Sequence, residues 1–452
     1  MTALRPERPG ERCLAGDIVA GLEKALQPGR FIAYNASFDF VQGLEEIHTR
    51  LKAMIGAGEG AAAAAYLETF IAACYEKADE IDDSSGGLGQ LVEDLFCTWV
   101  RARQAAEADA TETVGLQVWW MEHDDYGFCH RLERDLVKVL NDGGLEALAA
   151  EARARLDAAA ADDGGPAGYP RRRWTEVLKH TLAAQANAEE YLELCELTRL
   201  ASTDCDVVAA IHEGRGHLDE ALSWVERGFE LAGREGYSGG AEYELKKRQR
   251  HLLVLLGRTR EAIDLAWWDF QKSPRLFAYE VLMGLVPAAD RNSWRQRAMV
   301  VADGAGLESV LDLLVKVREV DRLVARIAVA TEHELERISD LSGEAAADLL
   351  ATSHPEPAAR LYRALGLGIV NAKRSRSYGL ALAHLERARD CFLATGRSDL
   401  WDELVADVRC RHGRKTSFMP GFERVADGGP ALEHHPSILE RARRRWPNHE
   451  DR

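Results

Sequence analysis

The chain is poor in aromatic residues, at 7% of 452, and its 46% hydrophobic share is carried mainly by Ala and Leu. Those two favour helices and give a pleated sheet little to pack, which excludes an all-β fold. Long apolar runs are missing. Val310–Val317 is short and broken by charge, well below the roughly 18 to 20 residues of a membrane-spanning helix. Met1 to Cys13 is charged and proline-bearing and lacks the central apolar stretch of a secretory signal. The 8 cysteines, at 13, 74, 97, 129, 195, 205, 391 and 410, stand apart without short pairings. That spacing is expected of buried thiols in a reducing compartment, so no disulfide and a cytoplasmic location are expected.

Catalytic and nucleotide motifs are lacking too. No Gly-x-x-x-x-Gly-Lys-Ser/Thr, Gly-x-Ser-x-Gly or strand-borne Gly-x-Gly-x-x-Gly occurs, and Gly214-Arg215-Gly216 follows a helical pattern rather than a strand. No cofactor and no enzymatic activity are expected.

Charge is plentiful and unevenly spread. Net charge is −17, yet residues 1–350 hold 39 basic against 61 acidic side chains, while 351–452 hold 18 against 13. An acidic body repels nucleic acid, so phosphate contact would have to be local. The candidates are Lys373, Arg374, Arg376, Arg409, Arg411, Arg414 and Lys415, with Arg441 and Arg443–Arg445 beyond them. The alternative reading is cations at helix ends complementing the C-terminal dipole.

Helical periodicity dominates the rest. Residues 1–30 read as an arm plus one helix near Asp17–Leu26. Phe38, Val41, Leu44, Ile47, Leu51 and Ile55 recur every three or four positions and make one stripe, ended by Gly56 to Gly60. A second helix from Ala61 and a third over Leu88–Ala106 flank the turn Ile81–Gly87, where Ser84 or Ser85 is expected to cap. Further helices are predicted over Glu112–Trp120, Asp125–Leu140 and Gly144–Ala161. The Gly- and Pro-rich segment Asp162–Gly168 then parts an N-terminal helical region, 31–162, from a repeat region, 169–419, followed by a basic tail, 420–452.

The repeat appears when Gly216 is laid on Gly257, an offset of 41 residues that also lays Ala221 on Ala262. Each copy has a Gly closing one helix, a polar turn, and an Ala five positions on that lets two antiparallel helices approach closely. Pro274 lies 12 after Ala262, where a tetratricopeptide-type repeat places its terminating proline. Arg318 to Leu323 reads as a degenerate third copy. One helix pair cannot bury its own apolar face, so such pairs stack. The predicted fold is all-α, an α-solenoid of stacked antiparallel helix pairs.

Four segments occur in an order that carries a family resemblance: Phe31–Tyr34, Ile81–Gly86, Gly216–Gly228 and Arg409–Met419. Together they resemble a bacterial family of helical proteins of unknown function, often fused behind a SWIM-type zinc finger. The resemblance implies a tetratricopeptide-like body and no known activity. The finger's Cys-x-Cys half is missing, and only Cys410-Arg411-His412 matches its Cys-x-His half, so the zinc module does not carry over.

Spacing argues against two metal sites. His212 and His217 are five apart, not the four that put two imidazoles on one helical face. Asp82 to Glu93 resembles a calcium loop but has Gly86 and Gly89 where a ligand and a β-branched residue belong. Trp119-Trp120 leads into His123-Asp124-Asp125-Tyr126, and Trp267-Trp268 forms a second pair. Adjacent Trp residues point about 100° apart on a helix, so one of each pair faces outward. Packing between repeats is the more frequent use of such residues, and the alternative makes Trp119, Trp120, Tyr126, Trp267 and Trp268 candidate contacts for a protein or peptide partner. No nucleophile accompanies His123, so acid–base catalysis has no support there. The sequence reads as a non-catalytic scaffold for a protein or peptide, the alternative being a nucleic-acid-associated accessory factor using its basic C-terminal region.

Overall fold

Helix follows helix throughout the computed structural model, which describes residues 18, 20–26, 29, 31–161, 168–236 and 239–431. Among them no strand forms, and Ile32 and Ile81 make one isolated parallel bridge. No described helix is long and apolar enough to cross a membrane. The all-α class is as the composition predicts.

Contacts divide the chain into two units, Met1–Leu252 and Leu253–Arg452. The first holds α1 (20–25), α2 (Tyr34–Gly56), α3 (Gly60–Ala78), α4 (Gly87–Ala105), α5 (Ala110–Glu122), α6 (Glu133–Val139) and α7 (Asp142–Ala161). It continues through α8 (Tyr169–Ala184), α9 (Ala188–Thr198), α10 (Ser202–Gly214), α11 (Leu218–Glu235) and most of α12 (Gly239–Leu255). The second holds α13 (Thr259–Lys272), α14 (Leu276–Leu285), α15 (Arg291–Asp303), α16 (Leu307–Lys316), α17 (Val320–Val329) and α18 (Glu332–Glu336). It ends with α19 (Asp340–Leu350), α20 (Pro355–Asn371), α21 (Tyr378–Ala394), α22 (Ser398–His412) and α23 (Met419–Ala426). Of the expected boundary at 162–168, residues 162–167 lie outside the described residues. On either side of it α7 and α8 pack together, and Leu148 and Ala152 share one core with Val177 and Leu182. Most of the arm and of the tail also lies outside the described residues.

One turn recurs between paired helices. Gly58, Ala186, Gly216, Gly257, Arg318 and Gly396 all take a left-handed φ, between 54° and 87°. At Gly216 the amide donates to Glu213 O at 2.9 Å and the next amide, His217, donates to His212 O at 2.9 Å. Gly257 and Arg258 repeat this onto Val254 and Leu253, and Arg318 and Glu319 onto Val315 and Leu314. These bonds satisfy the orphan carbonyls of the finishing helix and reverse the chain within two residues. Five positions after the left-handed residue stand Ala63, Tyr191, Ala221, Ala262, Leu323 and Trp401, each buried. That residue fixes the first contact of the returning helix, and the turns close the pairs α2 with α3, α8 with α9, α10 with α11, α16 with α17 and α21 with α22, while α3 with α4 and α20 with α21 pack as hairpins across other connections. Arginines brace other helix ends, as where Arg215 donates to Ala186 O at 2.7 Å and Arg360 to Ile327 O at 2.7 Å and Ala330 O at 2.8 Å.

Two expectations are corrected. The helix predicted over Asp125–Leu140 begins only at Glu133. Asp124 accepts bonds from the Phe128 and Cys129 amides at 3.0 and 2.7 Å, and Gly127 and Arg131 take positive φ of 77° and 85°, so 124–132 is wound into turns. The α4 cap is Asp83 rather than Ser84 or Ser85, accepting from Leu88 and Gly89 amides at 2.9 and 3.0 Å.

Candidate functional site

The paired tryptophans divide inward and outward. Trp119 is 53% exposed and stacks on His123 at 4.4 Å, whereas Trp120 turns in against Phe96 and Trp99, 5.1 Å from each. Tyr126 is exposed and stacked on Phe128 at 5.6 Å. In the second unit Trp267 packs on Trp294 at 5.4 Å, with the Arg297 guanidinium over both rings, while Trp268 is exposed with the Lys272 ammonium 3.6 Å above it. Asp124, considered for acid–base work, is held by backbone amides and by the Tyr75 hydroxyl at 3.0 Å. That is a structural cap.

The C-terminal cations are partly engaged. Arg409 forks onto Glu423, Arg411 pairs with Asp407 at 2.6 Å, Arg374 with Asp340 at 3.4 Å, and Lys415 donates to Val370 O. Lys373, Arg376 and Arg414 have no ion pair among the described residues. His212 and His217, expected to point apart, come within 6.1 Å because the turn at Gly216 reverses the chain. Among the described residues no group of three or more His, Cys, Asp or Glu could hold a metal ion.

A concavity lies in the first unit, over one face of α8. Three adjoining hollows of about 430, 330 and 330 Å³ share Arg134, Arg172, Glu176 and Lys179 among their walls. Arg171, Arg172, Thr175, Glu176, Lys179, His180 and Ala183 of α8 form the floor. Their spacing of one, three and four is that of a single helical face. One wall is the turn leading into α6, with His130 and Arg131, and the first turn of α6, with Arg134; the other is the end of α9 and start of α10, from Leu197 to Asp204.

Two carboxylates of the groove are neutralised from within the protein. Glu133, buried, takes Arg173 at 2.6 Å, and Arg173 also donates to Cys129 O at 2.6 Å. Asp204, buried, accepts from Lys179 at 2.9 Å, the Tyr191 hydroxyl at 2.8 Å and the Ala201 amide at 2.9 Å. Burial and this carboxylate push the Tyr191 phenol upward, so it remains a donor. Burial lowers the His180 pKa; Glu133 and Glu176 oppose the fall, and Arg134 and Arg173 add to it. What is left is Arg131, Arg134, Arg171, Arg172 and Arg199, none with an ion pair among the described residues, against the single carboxylate Glu176.

Local physics disfavours that concentration of charge. Arg171 and Arg172 stand in the first turn of α8, where the helix dipole opposes cations by roughly 0.3 to 1 kcal/mol each. Arg131 and Arg199 hold φ of 85° and 71° without being glycine, a conformation that costs about 1 to 2 kcal/mol. The groove was not singled out from the sequence, although Arg171-Arg172-Arg173 is a visible cationic run in the acidic body. Averaging charge over 1–350 concealed it, and the approach of the α6 turn to α8 has no local signature.

Helix hairpins closed by one repeated turn define a helical-repeat protein, a fold consistent in general terms with an interaction scaffold. The chain belongs to the family of unknown function DUF6880, whose model matches residues 10–420. No curated protein matches it. Among solved structures, a circular tandem repeat protein with novel repeat topology and enhanced subunit contact surfaces is similar at 12% identity, over 92% of this chain and 97% of that one, with a TM-score of 0.20. A likeness at that score adds nothing to the fold argued from the helices.

Proposed function

We propose that this protein is a non-catalytic scaffold that holds a protein partner by an acidic, extended segment lying along the α8 groove. The observation that carries the reading is the set of five arginines without ion pairs among the described residues, gathered in one concavity of a chain with net charge −17. Guanidinium groups fork onto carboxylates, and such pairs give both orientation and on-rate. The floor from Arg171 to Ala183 spans about 18 Å at 1.5 Å per residue, room for roughly five extended residues. Exposed aromatics elsewhere, Trp119, Tyr126 and Trp268, are candidate contacts for parts of a partner beyond the segment held in the groove.

Fluorescence anisotropy with a labelled hexaglutamate peptide tests the reading. Binding that weakens steeply with salt and is lost in Arg134→Glu/Arg172→Glu supports it. Equal binding by the variant, or none by the wild-type chain at low salt, rejects it. The alternative, a nucleic-acid-associated factor acting through the C-terminal region, draws on Lys373, Arg376 and Arg414. It predicts salt-sensitive binding of single-stranded RNA that these three residues control.

A further inference from the structure

We infer that the α6 end of the groove is a phosphoryl-recognition subsite, built for a phosphoserine or phosphothreonine in the bound segment. The inference rests on the peptide reading of the groove given above. At this end Arg131, Arg134 and Arg172, with His130 beside them, line a hollow of about 330 Å³ whose only other charged groups are Arg173, Glu133 and Glu176. Arg173 and Glu133 cancel one another at 2.6 Å. Three guanidiniums set against Glu176 therefore leave two uncompensated positive charges. A carboxylate would balance one of them. A phosphomonoester carries about −1.5 to −2 at neutral pH and has three acceptor oxygens, so it balances both and can face three forks at once. The set of unpaired cations is entirely arginine, the side chain whose planar fork suits phosphate oxygens.

The same geometry argues against other anions. No exposed Phe, Tyr or Trp lines the groove, since Tyr191 is buried, so bases lack a broad stacking platform. The site is concave, with Leu197 its one exposed large apolar side chain, which does not suit a membrane surface.

The test uses the full-length chain and three fluorescein-labelled nonapeptide pools, degenerate at eight positions and fixed at the centre as phosphoserine, glutamate or serine. The expected result is phosphoserine binding about tenfold or more tighter than glutamate, with inorganic phosphate competing at millimolar concentration. Arg134→Gln/Arg172→Gln should reduce the phosphoserine preference to that of glutamate while its circular dichroism melt stays unchanged, both residues being exposed. Equal binding of phosphoserine and glutamate pools overturns the subsite and leaves the acidic groove standing. Absence of binding by every pool overturns the groove reading as well. A preference that survives in the double variant puts the phosphoryl site elsewhere, and stronger competition by a decauridylate than by the phosphoserine pool replaces the peptide with nucleic acid.

Discussion

Gly366 of α20 tests how closely the helix hairpins approach. A Cβ built there meets Leu385 Cγ at 2.8 Å, the Ala381 carbonyl oxygen at 3.0 Å and Leu385 Cδ2 at 3.0 Å, all on α21. Carbon atoms in good contact stand about 3.5 to 4.0 Å apart, so the Leu385 side chain must withdraw by roughly 0.7 Å or more. The Ala381 oxygen belongs to the helix backbone and cannot withdraw alone. Overpacking of this kind costs about 1 to 3 kcal/mol, from which the better helix propensity of Ala recovers about 0.5 to 1. Gly366→Ala should therefore destabilise the second unit, by up to about 2.5 kcal/mol. Gly43 in α2 is the control, because a Cβ there meets nothing within 4 Å; Gly43→Ala should stabilise by about 0.5 to 1 kcal/mol. Amide exchange of 355–394, followed with urea unfolding, separates the second unit from the first. If both substitutions stabilise, the helices of this hairpin are further apart than described and the packing argument fails.

Arg318→Gly should stabilise the second unit by up to about 1 kcal/mol, since the left-handed turn there carries a Cβ, whereas Gly216→Ala should destabilise the first unit by a similar amount; differential scanning calorimetry reads both. Arg173→Ala leaves Glu133 buried without its cation and should cost about 3 kcal/mol or more in urea unfolding, with early loss of amide protection around α6. His48, buried and bonded to Thr98 at 2.8 Å, titrates near pKa 4 because of burial, with Lys52 adding to the shift. Its folded pKa lies below the unfolded value of about 6.5, so its contribution is full above pH 6.5 and is lost as pH falls toward 4. The fall in urea midpoint from pH 7 to pH 5 should accordingly be smaller in His48→Gln, and an identical fall would remove His48 from the account.

The hairpin turn was legible where its chemistry is stereotyped. Gly216 and Gly257 mark the left-handed position, and Ala221 and Ala262 the close approach. At Ala186 a Cβ occupies the same conformation, and at Tyr191 and Trp401 large rings occupy the position five residues on. Once tertiary packing supplies the closure, residue type no longer reports it, and those copies could not be read. Core stripes such as Val41, Leu44, Ile47 and Leu51 were legible because burial follows the helical period. The false helix over Asp125–Leu132 came from reading periodicity through a segment whose Asp124 bonds the backbone instead. The same misreading hid the groove, because that turn carries His130 and Arg131 to its wall. Among the C-terminal cations, formal charge gave no hint that Arg409 and Arg411 face carboxylates of neighbouring turns and helices.

Hydrogen exchange of the full-length chain, with and without a saturating acidic or phosphoserine peptide pool, tests the central claim most directly. The account predicts added protection in 130–136, 171–180 and 197–204, and little change at 373–376, 409–415, 119–126 or 267–268. Protection confined to the C-terminal basic segments or to the tryptophan pairs, with 171–180 unchanged, would contradict it.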